Sequence, residues 1–198
     1  MRAHWAAAGR SNRASRSRCD AASAMSDVII RPLAHGDLAE ALAIQAGAYP
    51  AFLVEPEDAF ASRLMVAASF CLAAIRDGQL AAYLLAHGWP RESPPPVGAV
   101  LPRYAPSEVL FIHDLAVGPA GRGLGLGRAL VDAAFAMAAR QGLACAELLA
   151  VEGAASFWRK LGFAERAVSG DLRDKVAGYG AEARWMTRAI PPAVPGRP

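Results

Sequence analysis

Apolar positions along this chain switch between a period of two and a period near 3.6, and each switch marks an element. The run "DVIIRPL" (27–33) reads as a first strand, and Asp37 is placed to cap a helix over "LAEALAIQAGAY". "EPEDAFASRLMVA" has apolar residues at helical spacing after a proline at its start, which predicts a second helix. "SFCLAAIRDGQLAAYLLAH" is two apolar runs joined by Asp77-Gly78, the strongest short hairpin signal. From Gly88 to Pro106 there are six prolines in 19 residues, and a loop this long within a compact domain is often functional. A strand (Glu108–Val117), a glycine-rich turn and a helix from about Gly125 to Arg140 come next. Then follow a strand (Ala144–Val151), a short helix (Ala154–Leu161), a strand near Phe163–Val168 and a last strand in "EARWMTRAI". The predicted order is β-α-α-β-β-β-α-β-α-β-β, an α/β (α+β) mix around a largely antiparallel sheet.

Length and composition narrow this picture. The 198 residues suit one well-cored domain, and 54% hydrophobic with 20% charged residues is a globular composition. No apolar run approaches the 18 residues of a membrane span. The basic balance is local. Five arginines against Asp20 put +4 on residues 1–24, whereas the whole chain is +3, so the remainder carries −1. A nucleic-acid footprint needs basic residues clustered on a folded face, and the body has no such run. The expected partition is a disordered basic extension over 1–26, one domain over 27–190 and a flexible proline-rich end over 191–198. "MSDVIIRPL" at Met25 reads as a natural start, so the extension is expected to be an upstream addition. Cys19, Cys71 and Cys145 form no CxxC pair and suggest neither a disulfide framework nor a metal site. Cys71 and Cys145 lie in apolar runs and are expected to be buried. A reducing, cytoplasmic compartment is expected.

The glycine turn carries the chemistry. A P-loop needs Gly-Lys-Ser/Thr, but Gly127-Arg128-Ala129 stands here, and the only lysines are Lys160 and Lys175. A GxGxxG fingerprint also fails, because Arg128 or Leu126 occupies the required glycine position. What fits is Arg-x-x-Gly-x-Gly over Arg122-Gly123-Leu124-Gly125-Leu126-Gly127. Glycines allow successive amides to face one point, and a helix N-terminus adds free N–H groups and positive potential, a cradle for a pyrophosphate. Arg122 and Arg128 can add charge.

With "LAVGP" (Leu115–Pro119) before it and "FWRKLGF" (Phe157–Phe163) after it, this segment resembles the GNAT superfamily of N-acetyltransferases. The specific motifs lie between 110 and 163. The resemblance implies a mixed, mostly antiparallel sheet of six to seven strands flanked by about four helices. It implies acetyl-CoA lying where the fourth and fifth strands splay apart. Main-chain groups of Leu115, Ala116 and Val117 would bond pantetheine, and amides from Gly123, Leu124, Gly125, Leu126, Gly127 and Arg128 would hold the pyrophosphate, with Phe157 nearby. No metal is implied. The implied reaction is direct acetyl transfer to an amine, here a small molecule; the alternatives are a protein or peptide amino group, or a non-catalytic CoA-binding module. Monomer and homodimer both stay open, an exposed last strand being able to pair across a dimer.

An alkylammonium must lose a proton before it attacks a thioester, and imidazole titrates near the pH where a general base works best. His113 is therefore the leading base. It matches the second histidine of the "H-x-H-x-L-A-V" pattern of arylalkylamine N-acetyltransferases, while Phe111 stands at the first. Period-two alternation puts Phe111, His113, Leu115 and Val117 on one face and Asp114 on the other, unless a bulge intervenes. Asp114 is the second candidate. The family's usual acid is a tyrosine where Trp158 stands, so that role is vacant or moved, and Tyr179 is the substitute considered. Tyr49, Glu55 and Trp89, with Phe52 and His87, are candidates for the acceptor pocket, Glu55 to hold a substrate ammonium and the rings to form an aromatic wall; Glu55 also suits a helix N-terminus, and core packing explains most of the rings equally well.

Overall fold

A computed structural model describes residues 28–168 and 170–193, so the basic extension over 1–26 and residues 194–198 lie outside it. The strands are β1 (Val28–Pro32), β2 (Leu72–Arg76), β3 (Gln79–Trp89), β4 (Val109–Val117), β5 (Cys145–Ala150), β6 (Ala164–Glu165) and β7 (Arg184–Ala189). The helices are α1 (Leu38–Ala48), α2 (Glu57–Met65), α3 (Leu126–Arg140), α4 (Ala155–Lys160) and α5 (Gly170–Gly178). One seven-stranded sheet runs in the order β1-β2-β3-β4-β5-β7-β6, antiparallel at every step except β4–β5. The β2–β3 turn has both residues left-handed, with φ of 51° at Asp77 and 77° at Gly78, as a two-residue hairpin requires.

Both faces of the sheet are covered. On one, Leu130, Ala134 and Trp158 of α3 and α4 pack on Leu110, Ile112 and Leu148. On the other, Leu38, Ala41 and Phe60 of α1 and α2 pack on Tyr83, Leu85 and Ala116. Burial from both sides explains why β3 reads as a nearly continuous apolar run instead of an alternating one.

Helix α5 is absent from the sequence expectation. It buries only Leu172 and Val176, one i, i+4 pair too short to register as a period, and it is held by packing on Trp89, Phe111 and Trp185. The expected strand over 163–168 shrinks to the two residues of β6. The last strand, β7, lies between β5 and β6, so it is not the free sheet edge expected to offer a dimer contact. Cys71 is buried as expected, but Cys145, at the start of β5, is only half-buried.

Two features of β4 position the site. Its pairing with β5 is limited to Leu110–Ala146, Phe111–Glu147 and Ile112–Leu148, so the strands part beyond Ile112 and the β5-facing edge at Leu115–Val117 is free of a strand partner. Against β3, Ile112 pairs Ala86 while Asp114 pairs Leu85, which leaves His113 as the extra residue of a β-bulge. Strict alternation therefore fails. Leu115 and Val117 pack toward α3, whereas His113 and Asp114 both turn toward α1 and α2. The bulge aims two chemically useful side chains at one face.

Candidate active site

The glycine turn has the geometry of an anion cradle. Gly123 and Gly125 have φ of 78° and 74°, and Gly125 is the N-cap of α3. Ala129 N–H closes the first helical bond on Gly125 O at 3.1 Å. Leu124 N–H reaches Gly121 O at 3.4 Å. Among the described residues no backbone acceptor meets the amides of Gly123, Gly125, Leu126, Gly127 or Arg128. Unpartnered N–H groups at a helix start attract a phosphate. A Cβ at Gly127 would stand 3.2 Å from Phe157 Cζ, so that ring closes one side of the turn. Arg122 is exposed, and Arg128 donates to Lys160 O at 2.9 Å, which ties the turn to α4.

The left-handed Gly125 gives a direct test. A β-branched side chain is strained at this φ, so Gly125→Val must reroute the amides. CoA affinity is expected to fall about 10- to 100-fold, the loss of one charge-assisted hydrogen bond or slightly more. Titration calorimetry with CoA checks this, and unchanged affinity would show that the turn is only structural.

A buried ion cluster lies beside the β4 bulge. Glu55, just before α2, receives Arg63 Nη2 at 2.6 Å and Gly98 N–H at 2.9 Å on Oε1, while Oε2 lies 3.1 Å from His113 Nε2. Arg63 is fully buried and also donates to Ala99 O at 2.6 Å. Its Nη2 is 3.1 Å from His113 Nε2. Burial alone would raise the Glu55 carboxyl, but the His113 hydrogen bond, the His113 and Arg63 charges and the Gly98 N–H outweigh it and hold the group below its ordinary value. Burial lowers the Arg63 guanidinium, chiefly against the pull of Glu55. Glu55 Oε2 calls for a proton on Nε2 while Arg63 Nη2, itself a donor, calls for a lone pair there, so the two buried charges compete for the same imidazole nitrogen.

The lowered Glu55 value has a pH consequence. Its stabilisation is complete above the unfolded carboxyl value, about 4.3, and is lost as pH falls through the lower folded value. Glu55→Gln is expected to be less stable than wild type at pH 7 and to show a flatter acid limb. Urea unfolding from pH 7 to 3 measures both, and parallel curves would contradict the assignment.

Asp114 heads a second cluster. Tyr49 Oη donates to Oδ1 at 2.5 Å, Tyr83 Oη to Oδ2 at 2.6 Å, and Gln45 Nε2 is 3.5 Å away. Tyr49 Oη also lies 3.2 Å from Leu115 O. Burial raises the Asp114 carboxyl against those donors, and it raises both tyrosines as well, so neither tyrosine is a ready acid.

An open cleft of about 490 Å³ lies alongside, lined by Ala46, Tyr49, Ala51, Val54, Glu55 and Pro56. Tyr49 and Glu55 thus border the cleft, but Glu55 is already engaged three ways. Trp89 is buried with Phe111 and Trp185 and donates its Nε1–H to Ser93 O at 2.6 Å, and Phe52 is largely exposed. Tyr179 donates to Pro95 O at 3.1 Å, anchoring the proline-rich loop, and burial raises its hydroxyl. Trp158 is buried between Phe157 and Phe163. Arg63, Tyr83 and Gln45 were missed by the sequence reading. Arg63 had a signal, since it follows Ala59 and Phe60 on the apolar stripe of α2, where a charge implies a buried partner.

The parted β4 and β5 strands, the glycine turn at the start of α3 and the imidazole on the β4 bulge belong to one α/β domain. The family model of the Acetyltransferase (GNAT) family matches residues 38–163, and the chain belongs to that family, the acetyl-CoA-dependent acyltransferases. No curated protein matches the chain in sequence. Its fold is similar to that of the ribosomal-protein-S18-alanine N-acetyltransferase from Escherichia coli, at 21% identity over 85% of this chain and 96% of that one, with a TM-score of 0.60. Arabidopsis thaliana Naa50 in complex with the bisubstrate analogue CoA-Ac-MVNAL is 15% identical over 82% and 98%, with a TM-score of 0.59. N-acetylglutamate synthase from Neisseria gonorrhoeae, complexed with coenzyme A and N-acetyl-glutamate, is 15% identical over 82% of this chain and 35% of that one, at a TM-score of 0.59. No described helix is long and apolar enough to cross a membrane.

Proposed function

We propose that the protein acetylates a primary amine on a small molecule, by direct attack on acetyl-CoA in a ternary complex with His113 as proton acceptor. The observation that carries this is the imidazole of His113, 3.1 Å from Glu55 Oε2, on the bulge of β4 next to the edge where the strands part. Amides from Gly123 to Arg128 hold the pyrophosphate, and the free edge at Leu115, Ala116 and Val117 bonds pantetheine as an added strand.

The ammonium gives one proton to His113. Its nitrogen then bonds the acetyl carbon, the C–S bond breaks, and the electron pair leaves with sulfur. The second nitrogen proton neutralises the departing thiolate. Such a thiolate needs no strong acid, its ordinary value being near 8.5, which fits a buried tryptophan at position 158. Among the described residues a covalent acetyl-cysteine is disfavoured: burial pushes the Cys71 thiol up to about 11, and Cys145 lies at the far end of β5.

The proline-rich loop favours a small acceptor over a peptide. Gly98 N–H is bonded to Glu55, Ala99 O to Arg63, Pro95 O to Tyr179 and Glu92 N–H to Glu147 at 2.8 Å, so the loop is strapped across the sheet at four points. The cleft volume and its mainly apolar lining suit a small, partly hydrophobic amine. A thiol-release assay with arylalkyl and alkyl amines against peptides with free N-termini tests the reading. Turnover on amines alone is expected; turnover on peptides alone would assign the acceptor to protein.

A further inference from the structure

Glu147 is a buried carboxylate that neither the glycine turn nor the β4 bulge uses. It is the third residue of β5, level with Phe111 of β4 and Thr187 of β7, and is 2% exposed. Alternation puts it on the sheet face of Leu149, which packs with Trp89, Phe111 and Trp185. An apolar side chain would suit that face, since a buried carboxylate is costly unless its partners compensate. The compensation here is thin. Oε2 receives the Glu92 N–H at 2.8 Å, and Oε1 lies 3.4 Å from Nη1 of Arg91, a side chain about half exposed. Burial raises the carboxyl against both partners, and the Glu92 and Glu108 charges add to the rise.

What the carboxylate holds is a bend. Glu92 has φ of 53°, a left-handed conformation that strains a residue other than glycine. The groups on either side are fastened too: Arg91 N–H donates to Glu108 Oε2 at 2.9 Å, and the Trp89 indole N–H to Ser93 O at 2.6 Å. Pro94, Pro95 and Pro96 follow at once, and consecutive prolines, with φ fixed, make a stiff spacer. Beyond them, Gly98 donates its N–H to Glu55 Oε1 at 2.9 Å. A Cβ on Gly98 would stand 3.7 Å from Pro56 Cδ, and Glu55 and Pro56 both line the cleft. The prolines therefore form a strut from the buried carboxylate of β5 to the cleft wall, with the Tyr179 hydroxyl on Pro95 O as a prop at its middle.

We propose that Glu147 is a positioning residue for acceptor selectivity: by fixing the bend at Glu92 it sets, through the prolines at 94–96, how far the segment at Gly98 closes on the acceptor cleft. With the bend held, the cleft takes small amines and turns away bulkier ones. With the bend released, the strut swings and longer acceptors enter. The proposal rests on the cleft being the acceptor site.

Three variants of the full-length protein test this, each assayed with phenethylamine and with its bulkier analogue biphenylethylamine. Glu147→Leu removes the acceptor of the Glu92 N–H and suits the apolar face. The ratio of kcat/KM for the bulky amine to that for the small one is expected to rise about tenfold, the effect of one lost hydrogen bond to a charged group. Glu147→Gln keeps an oxygen for the same N–H and is expected to hold the wild-type ratio. Pro94→Gly softens the strut and leaves the carboxylate in place, so it keeps the test open if leucine disturbs the fold. It is expected to match the rise, and Glu147→Leu to add nothing further in that background, because both act on one path. Amide hydrogen exchange at Val97 and Gly98 is expected to quicken about tenfold in Glu147→Leu, while β4 keeps its wild-type rates. An unchanged ratio in both Glu147→Leu and Pro94→Gly, or effects of the two that simply add, would overturn the proposal. If wild type acetylates neither amine, the small-amine reading fails. The exchange rates then decide alone: faster exchange keeps Glu147 as the anchor of the cleft wall, and unchanged exchange removes it.

Discussion

Replacing His113 by alanine is expected to cut kcat by about 10²- to 10⁴-fold, the usual contribution of a positioned base, while KM for acetyl-CoA stays near its wild-type value. The separation follows from the layout. In the proposed reading, cofactor binding rests on main-chain groups of the glycine turn and the β4 edge, and the imidazole belongs to neither. Stability should change little. Glu55 keeps Arg63 at 2.6 Å and the Gly98 N–H at 2.9 Å after the imidazole is removed, so no buried charge is abandoned. The rate deficit should also shrink as pH rises, because more of the amine then arrives unprotonated. Steady-state kinetics from pH 6 to 9, with melting curves alongside, decide the matter. A loss confined to KM for acetyl-CoA would place His113 in cofactor binding, and a constant deficit at every pH would remove it from proton transfer.

Most of the framework was legible because its signals are local. The Asp77-Gly78 hairpin, the helix after the glycine turn and the strand before it each depend on residues adjacent in sequence. The left-handed geometry of the glycine turn was legible for the same reason: glycine spacing controls the direction of its main-chain atoms. Helix α5 was not, since its Leu172–Val176 stripe becomes helical only when Trp89, Phe111 and Trp185 supply the other half of its core. The bulge at His113 was likewise invisible. Nothing in "FIHDLAV" differs from an ordinary alternating strand, and the extra residue appears only in the register against β3. That one missing observation reversed the face expected for Asp114 relative to His113. It also brought Glu55, which the sequence offered either as a holder of a substrate ammonium or as a charge at a helix N-terminus, to within 3.1 Å of the imidazole.

Arg63 carries the largest expected effect on stability. Arg63→Met is expected to cost about 3–5 kcal/mol, since it leaves Glu55 as a buried carboxylate with its closest partner gone. For a domain of this size that corresponds to a drop in Tm of roughly 6–20 °C. The loss should depend on Glu55 more than on packing, because methionine fills much of the same volume. The double variant Arg63→Met with Glu55→Leu removes both charges and is expected to recover most of the deficit, as apolar replacements of buried ion pairs commonly do. Recovery cannot be complete: Gly98 N–H and Ala99 O lose their partners, so the loop over the cleft loosens. Thermal unfolding of wild type, both single variants and the double variant closes the cycle. Losses that simply add would mean that the two residues act independently, and the Glu55–Arg63 pair could then not be what aligns His113 on β4.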